Sequence, residues 1–307
     1  MIVFIDGAAG TTGLHIHERL AARNDLTLLT LSDDLRKDPA ARADCMNRAD
    51  IVFLCLPDAA AIEAERFVTN PKTVVIDTST AHRTADGWVY GFPELNGQRK
   101  KIRTAKRIAN PGCHASGFIA LVAPLVAAGI LSPDASLSCF SLTGYSGGGK
   151  KMIAEYESSE RDGLFAAPRQ YGLSQSHKHL PEMRVYGGLS SSPIFCPIVA
   201  PYYAGMEVTI PIDAKTVAGG IDAIRAVYRT VYAGGLIRYA ESADENGFLS
   251  AAAFAGRDDM QIAVFGNEER ILLVSRFDNL GKGASGAAIQ NMNLVLGLPE
   301  NTGLVLE

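Results

Sequence analysis

The sequence predicts an α/β protein of two domains, in which a doubly wound parallel sheet precedes an α+β domain with a mostly antiparallel sheet. The chain has 307 residues, more than a single hydrophobic core usually organises. Short β-branched and Leu runs alternate with helical stretches as far as residue 113, which is typical of βαβ units. Beyond residue 130, strand-like runs continue with fewer helices between them, as in α+β domains.

The strands of the first domain are expected to be buried on both faces, because their apolar runs are nearly continuous. We expect these strands over Ile2–Asp6 and over residues 26–31, 51–56 and 73–77. Helices are expected over residues 12–22 and, with Asp58 as a possible cap, over residues 58–68. A sheet of this kind binds dinucleotides at the carboxyl ends of its strands.

The second domain is predicted from six strand-like runs and one clear helix. The runs cover residues 136–143, 193–200, 207–212, 248–254, 261–265 and 270–276, and the helix covers residues 221–232. Residues 284–296 are again helical in pattern, and the glycine-rich residues 279–283 predict a flexible hinge before them. We assign residues 1–113 and the C-terminal helix of residues 284–307 to a dinucleotide-binding domain. Residues 114–283 form the predicted catalytic, substrate-binding and oligomerisation domain.

The composition indicates which partners to expect. With 33 acidic and 29 basic side chains the net charge is −4, so neither nucleic acid nor an anionic membrane is expected to bind. The five cysteines show no metal-ligand spacing, and their odd number argues against a disulfide framework, so no metal is predicted. The first strand begins without a signal-peptide pattern and no apolar stretch is long enough to cross a membrane, which predicts a cytoplasmic protein.

A glycine motif, Gly-x-x-Gly-x-x-Gly, separates the first strand from the first helix. Glycines allow the tight turn and let the backbone approach a pyrophosphate held at the helix N-terminus, as in the Rossmann fold. The position of the motif between a strand and a helix strengthens the prediction of nucleotide binding. The residues predicted to bind the cofactor here are Gly7, Gly10, Thr11, Thr12 and Gly13.

The choice of cofactor depends on the end of the second strand. An NAD-specific site places an acidic residue there, whereas this chain has Ser32 at about that position. Arg36 and Lys37 follow closely enough to reach a 2′-phosphate, although Asp33 and Asp34 oppose this interpretation. The pattern favours NADP.

The loops after the third and fourth strands are expected to border the cofactor, since ligands of open α/β sheets lie above the carboxyl strand ends. Ser79 lies in the second of these loops and is predicted to bind the cofactor. Asp77, at the end of that strand, has a turn cap as its alternative role.

Cys113 follows a Pro-Gly corner and precedes an apolar helix expected over residues 115–128. At a helix N-terminus the dipole favours a thiolate, and the backbone N–H groups there can stabilise an oxyanion. The sequence therefore predicts a nucleophile. The alternative is a buried small hydrophobic residue, which is the commoner use of a free cysteine.

His177 and His179 lie two residues apart, near Glu182. In an extended segment both side chains face the same way, whereas in a turn they would diverge. We predict a general acid/base in this segment, oriented by Glu182, over a hydrogen-bonded surface pair. His114 is a weaker candidate, because an immediate neighbour of the nucleophile usually points away from it.

The glycine-rich residues 144–151 predict a loop that binds an anion through its backbone N–H groups, with a plain flexible turn as the alternative. Ser146, Gly147 and Lys150 are the predicted substrate-phosphate contacts. Together with a thiol, a nicotinamide and a histidine, this loop suits reduction of an acyl phosphate through a thioester.

Several motifs together resemble the N-acetyl-gamma-glutamyl-phosphate reductase family over essentially the whole chain. They are residues 90–95, 110–113, 177–182 and 281–293, and residues 144–150 resemble the shorter, type 2 form of that family. The resemblance implies a semialdehyde dehydrogenase fold and NADPH-dependent reduction of N-acetyl-L-glutamyl 5-phosphate to its semialdehyde, in arginine biosynthesis. It also implies a homo-oligomer, either dimer or tetramer.

The resemblance also assigns roles to single residues. It places the nucleophile on Cys113, the acid/base on His177 or His179, a substrate contact on Asn110 and a cofactor contact on Asn291. The chain departs from the family after the nucleophile, where His114 stands in place of an expected aromatic residue.

Three alternatives remain at this point. Aspartate-semialdehyde dehydrogenase shares the reaction class, but residues 90–95 argue against it. A carrier-linked aminoadipyl-phosphate reductase shares most of the motifs. Such an enzyme would need a basic surface for its acidic carrier, and the net negative charge of this chain argues against one. A non-enzymatic NADP-binding regulator is disfavoured by the presence of Cys113 and both histidines.

Overall fold

The computed structural model describes residues 1–306 and divides the chain into two compact units. The first unit contains residues 1–111 and 284–304, and the second contains residues 112–283 with the residues that follow 304. The second unit is therefore one continuous stretch of chain, to which only the C-terminal residues are added. These residues are joined to it by a hydrogen bond from the Asp258 N–H to the Val305 carbonyl at 2.6 Å.

The first unit is built on a six-stranded sheet in which every neighbouring pair is parallel. Its strands lie in the order β2-β1-β3-β4-β6-β5. They are β1 (Ile2–Asp6), β2 (Thr27–Leu29), β3 (Ile51–Leu54), β4 (Val74–Asp77), β5 (Val89–Tyr90) and β6 (Arg107–Ala109).

Helices cover both faces of this sheet. They are α1 (Thr11–Ala21), α2 (Pro39–Arg48), α3 (Asp58–Glu65), α4 (Gln98–Thr104) and the last helix of the chain, Gly286–Val295. Alternate residues of β1 point to opposite faces. Val3 packs in a core that includes Ile16 and Ile289, whereas Phe4 packs in one that includes Met46.

The second unit contains a seven-stranded sheet in the order β11-β12-β13-β10-β7-β9-β8. Four neighbouring pairs are antiparallel, and β7/β9 and β11/β12 are parallel. The strands are β7 (Ser138–Gly144), β8 (Arg169–Gln170), β9 (Ile194–Ala200), β10 (Met206–Asp213), β11 (Ile237–Tyr239), β12 (Met260–Gly266) and β13 (Arg270–Phe277). The predicted fold class, with its mostly antiparallel second sheet, is confirmed.

One face of this second sheet is covered by helices. The helices of the unit are α5 (Cys113–Ala127), α6 (Gly149–Glu157), α7 (Leu180–Gly187) and α8 (Gly220–Val231). A side chain at Gly117 of α5 would place its Cβ 2.5 Å from a methyl of Val208 and 2.8 Å from the Phe277 ring. The absence of that side chain is what lets α5 lie directly on β10 and β13.

Three local predictions were wrong. Residues 248–254 form turns rather than a strand. Asp58 is the first residue of α3 and does not cap it; its carboxylate accepts hydrogen bonds from the N–H and hydroxyl of Thr80 instead. The predicted hinge over residues 279–283 is buried and leads into a helical turn, Gly281–Ser285.

None of the helices within residues 1–306 combines the length and the apolar character that crossing a membrane requires. The same part of the chain contains no group of three His, Cys, Asp or Glu side chains arranged to hold a metal ion.

Candidate active site

Cys113 is the first residue of α5, two positions earlier than the predicted start of that helix. Gly112 precedes it as the N-cap in an extended conformation. The Ser116 N–H donates to the Gly112 carbonyl at 2.8 Å, so the N–H groups ahead of Ser116 are directed out of the helix end. The partly buried thiol therefore lies in the positive field of a 15-residue helix.

Gly283 confines the nucleophile from another side. A Cβ at Gly283 would lie 2.8 Å from the Cys113 Cβ, so the backbone there packs directly against the cysteine. The Gly283 N–H donates to the Asp278 carbonyl at 2.9 Å, which holds this turn in place. The segment predicted to be a hinge instead restricts where the thiol can move.

Glu182 lies in the first turn of α7 and is 1% exposed. One carboxylate oxygen, Oε2, accepts a hydrogen bond from the Gly112 N–H at 3.1 Å. The other, Oε1, lies 3.9 Å from Nε2 of His179. The carboxylate thus connects the residue before Cys113 with a buried histidine.

His177 and His179 lie in a turn, yet their rings are neighbours with centroids 4.8 Å apart. The Leu180 N–H donates to the His177 carbonyl, and the His179 N–H donates to His177 Nδ1 at 3.3 Å. This closed turn directs the exposed Lys178 outward and brings the two imidazoles together. The expectation that a turn would separate them was wrong.

His114 belongs to the same cluster, although the sequence analysis made it the weaker candidate. Its ring centroid lies 5.8 Å from that of His177 and 5.4 Å from that of His179. Its Nδ1 is 2.7 Å from Ser141 Oγ, and its Nε2 is 2.7 Å from the Tyr171 hydroxyl. Burial, followed by the charges of His177 and Lys178, lowers the pKa of His114 to about 3.

Sequence reasoning missed Ser141 and Tyr171, which complete this cluster. They lie 27 and 57 residues away from His114, in segments that carry no recognisable motif. The only signal available was the unusual histidine after the nucleophile.

The glycine-rich segment is more ordered than the predicted anion loop. Tyr145–Gly148 forms a 3₁₀ turn, and α6 follows it directly. The Ser146 hydroxyl is buried and accepts a hydrogen bond from the Asn279 side chain at 2.9 Å, whereas Gly147 and Lys150 are exposed. The Ser146 hydroxyl is therefore bound by another side chain of the protein. For Gly147 and Lys150, contact with the substrate phosphate stays a proposal.

The glycine motif of the first unit packs tightly against neighbouring backbone, as a sharp turn between a strand and a helix requires. Gly7 has a positive φ of 84°, and a side chain there would place its Cβ 2.3 Å from the Cys55 carbonyl oxygen. A Cβ at Gly13 would lie 2.4 Å from the Gly7 carbonyl oxygen. Gly10 is the N-cap of α1, which begins at Thr11 and continues with Thr12.

Thr11 provides an unused donor at this helix end. Its Oγ1 is buried and has no hydrogen-bond partner among residues 1–306. A hydroxyl in that state fits an anion bound at the N-terminus of α1.

A cavity of about 470 Å³ lies beside the glycine motif in the first unit. Its lining includes Gly7, Asp33, Arg36 and Lys37. Arg36 forms an exposed ion pair with Asp33 at 3.4 Å. Ser32 stands in the sequence between Leu31 and Asp33, which both line the cavity. Its hydroxyl donates a hydrogen bond that lowers the pKa of Asp34.

Ser79 lies in a turn that Asp77 organises. The Ser79 N–H and hydroxyl donate to the two oxygens of Asp77 at 2.9 and 2.7 Å. Asp77 Oδ2 also lies 2.6 Å from His82 Nδ1. Asp77 therefore caps a turn, which was its alternative role, and it orients Ser79 at the carboxyl end of β4.

Asn291 and Asn110 form a buried amide pair in the first unit. The Asn291 side chain donates to the Gly91 carbonyl at 2.9 Å and to Asn110 Oδ1 at 3.2 Å. Asn110 in turn donates to the Ala284 carbonyl at 3.0 Å. Asn291 Oδ1 is buried without a hydrogen-bond partner in the part of the chain that the structure describes, so it could accept one from a ligand amide.

Protonation of His114 is expected to destabilise the fold in acid. Its pKa is about 3 in the folded chain and near 6.5 when unfolded, so its contribution is complete above about pH 6.5 and decreases as the pH falls from there. The loss is at most about 1.4 kcal/mol per pH unit. His114→Gln removes this titration, and its free energy of urea unfolding should decline less between about pH 6 and pH 4.

The control for this measurement is His15→Gln, which changes a partly exposed histidine on α1. That variant should keep the acid sensitivity of the unmodified protein. Identical pH dependence in both variants would contradict a buried neutral imidazole at position 114.

Two family models match the chain. Residues 29–105 match the model described as semialdehyde dehydrogenase, NAD binding domain. Residues 113–279 match the one described as semialdehyde dehydrogenase, dimerisation domain. Together they support the predicted semialdehyde dehydrogenase architecture.

Solved structures share this fold at low sequence identity. Aspartate semialdehyde dehydrogenase II of Vibrio cholerae, complexed with ASA, matches with a TM-score of 0.72 at 19% identity and covers 96% of this chain and 98% of its own. The enzyme of Candida albicans, solved with NADP, matches with a TM-score of 0.67 at 15% identity, with coverage of 98% and 99%. These likenesses concern the fold alone.

Curated relatives are much more similar in sequence. The N-acetyl-gamma-glutamyl-phosphate reductase of Burkholderia ambifaria is 46% identical over 306 residues, covering 97% of this chain and 96% of that protein. N-acetyl-gamma-glutamyl-phosphate reductase 2 of a Nostoc species is 44% identical and covers 98% of each chain. The chain therefore belongs to the N-acetyl-gamma-glutamyl-phosphate reductase family, as the resemblance of its motifs implied.

Proposed function

We propose that this protein reduces N-acetyl-L-glutamyl 5-phosphate to N-acetyl-L-glutamate 5-semialdehyde and phosphate with NADPH, in arginine biosynthesis. The observation that supports this most directly is the position of Cys113 at the start of α5, next to the residue whose N–H binds the buried Glu182. The names of the relatives supply the substrate.

The first half of the reaction uses the thiolate of Cys113. The sulfur attacks the acyl carbon, the C–S bond forms, the bond to the phosphate oxygen breaks, and phosphate leaves a thioester behind. The N–H groups at the start of α5 stabilise the transient negative oxygen, because they point out of the helix end.

The second half reduces the thioester, and bound NADPH supplies the hydride for it. The carbonyl carbon becomes tetrahedral, the C–S bond then breaks, and the aldehyde leaves while Cys113 regains its thiolate. We assign to His179 the proton that the tetrahedral oxygen takes up after hydride addition and returns when the C–S bond breaks, because this imidazole is buried beside the Glu182 carboxylate that also binds Gly112. Glu182 orients this imidazole and stabilises its charged form.

Residues of the first unit would hold the cofactor. The glycine motif, with Gly7, Gly10 and Gly13, and the buried hydroxyl of Thr11 fit its pyrophosphate, and Thr12 shares that helix end. Ser79 and the buried Asn291 Oδ1 are proposed to bind its nicotinamide half. This oxygen is suited to accept a hydrogen bond from a carboxamide N–H.

We propose that NADP is preferred over NAD. The cavity beside the glycine motif is lined by Arg36 and Lys37, which can neutralise a 2′-phosphate. No carboxylate stands at position 32, where an NAD-specific site would bind the ribose hydroxyls. The Asp33 carboxylate already pairs with Arg36, so it does not repel a phosphate as a free charge would.

A homo-oligomer, either dimer or tetramer, is proposed from the second unit. Its sheet is covered by helices on one face, and the other face presents the apolar side chains of Phe140, Ile194 and Leu272, which are between 41% and 57% exposed. A second copy of the chain would cover this face. The family model that matches the unit is described as a dimerisation domain.

Replacing the nucleophile should abolish turnover. Cys113→Ser is expected to lower kcat by at least about 10³-fold, because an alcohol at this position is a far weaker nucleophile than a thiolate. The assay follows phosphate-dependent reduction of NADP with N-acetylglutamate semialdehyde, and titration should show unchanged NADPH affinity. Cys196→Ser, on β9, is the matched control and should retain activity.

Substantial activity of Cys113→Ser would refute the thioester route. Preference of the unmodified protein for aspartate semialdehyde, or for a carrier-linked aminoadipate semialdehyde, would replace the proposed substrate while leaving the reaction class in place.

The two histidines should respond differently to substitution. His179→Asn is expected to lower kcat/KM by about 10²–10⁴-fold, since it removes the proposed acid/base. His177→Asn should cost about tenfold or less, because it leaves the proposed acid/base, His179, in place beside Glu182. Initial rates at saturating NADP distinguish these outcomes, and equal mild effects would remove the acid/base from this segment.

Cofactor preference should depend on two cations. The double variant Arg36→Ala with Lys37→Ala is expected to weaken NADPH binding by about tenfold or more and to leave NADH binding nearly unchanged. Fluorescence titration measures both affinities. Lys100→Ala with Lys101→Ala removes two exposed charges of α4 as a control. An unchanged preference in the first double variant would place 2′-phosphate recognition elsewhere.

A further inference from the structure

Ser141, His114 and Tyr171 form a continuous hydrogen-bonded chain beside the nucleophile. Both contacts of the imidazole are 2.7 Å long, one from each ring nitrogen. His114 is 3% exposed and Ser141 is fully buried on β7. His114 directly follows Cys113 in α5, so the central member of this hydrogen-bonded chain is fixed at the nucleophile's own helix turn.

The positions of the protons in this hydrogen-bonded chain follow from what each of its three side chains can donate and accept. Within residues 1–306 the buried Ser141 hydroxyl has no hydrogen-bond partner other than His114 Nδ1. A buried hydroxyl proton without an acceptor is costly, so Ser141 donates to Nδ1. The imidazole is neutral, and its single proton must then lie on Nε2 and be donated to the Tyr171 oxygen.

This assignment determines what the tyrosine can do. Because the Tyr171 oxygen accepts from His114, its own O–H is directed away from the imidazole and remains available as a donor. In the opposite tautomer the tyrosine would donate to His114 and offer nothing further. Because His114 directly follows Cys113, the 2.7 Å contact with His114 holds the Tyr171 hydroxyl beside the nucleophile's helix turn. Burial, followed by the charge of the Cys113 sulfur, raises the pKa of Tyr171, which agrees with this placement.

We propose that the Tyr171 hydroxyl, oriented by Ser141 through His114, donates a hydrogen bond to the Cys113 thiolate and holds the nucleophile in its charged form. The inference rests on the proposed role of Cys113 as nucleophile. Ser141 and His114 act as positioning residues, and neither needs to gain or lose a proton during turnover.

Other charges also face this region and set the background for the thiolate. The Glu182 carboxylate, at the Gly112 N–H, opposes a negative sulfur, and the start of α5 favours one. The rings of His177 and His179 pack against His114 from the α7 side, and Lys178 extends outward between them. Tyr171 is therefore expected to contribute only a part of the stabilisation of the Cys113 thiolate, and substitution of Tyr171 should remove that part alone.

The test measures the thiol without substrate or cofactor. Cys113 alkylation by iodoacetamide is followed between about pH 5 and pH 10 by mass spectrometry of its peptide, and the pH midpoint reports thiolate formation. Tyr171→Phe should raise this midpoint by about one to two pH units, as expected for loss of a hydrogen bond to a charged group. Tyr239→Phe, on the distant edge strand β11, should leave it unchanged.

The positioning role is tested by Ser141→Ala, which frees His114 to adopt the other tautomer. The midpoint should rise in this variant as well, although Tyr171 is still present. Circular dichroism melting shows whether each variant is folded at the assay temperature. An unchanged midpoint in folded Tyr171→Phe would overturn the proposal, and a shift in Tyr171→Phe but not in Ser141→Ala would overturn the hydrogen-bonded chain.

These outcomes are independent of the proposed substrate. If the midpoint shifts as expected but the unmodified protein fails to reduce NADP with N-acetylglutamate semialdehyde, the role of Tyr171 stands and the proposed function fails.

Discussion

The hydrogen bond from the Gly112 N–H to the buried Glu182 carboxylate is the contact on which the arrangement of the second unit's catalytic candidates depends. Gly112 immediately precedes the nucleophile, and Glu182 lies in the first turn of α7, so this contact fixes the starts of two helices against each other. A buried carboxylate is costly without such partners. The same group therefore stabilises the packing of α5 on α7 and determines where the His179 ring can lie.

Buried polar groups organise the first unit in a related way. Asn291 donates to Gly91 and to Asn110, and a side chain at Gly91 would place its Cβ 2.4 Å from the Asn291 amide nitrogen. Glycine at position 91 thus leaves room for the amide, and the amide holds Asn110 in place. Asn291 in the first unit and His179 in the second are thus held by neighbours that are themselves buried and hydrogen-bonded, which is how a site becomes preorganised.

Local features of the sequence predicted the elements that depend on local physics. The β3 strand follows from an uninterrupted apolar run, and the position of Cys113 follows from a Pro-Gly corner before an apolar helix. The histidine cluster could not be predicted completely, because His114 finds its partners Ser141 and Tyr171 far along the chain. The supposed hinge before the last helix failed for the same reason, since glycine there serves close packing against Cys113 rather than flexibility.

The division of the chain has a consequence for its biosynthesis. The first unit closes its core with Ile289 and Met292 of the last helix, which pack with Val3 and Ile16 from the beginning of the chain. The second unit is nearly continuous and can complete its sheet earlier on the ribosome. Although domains generally fold from the N-terminus during synthesis, here the N-terminal core stays open until the final helix has been translated. The nascent chain must therefore keep apolar strands from aggregating for almost the whole of its synthesis.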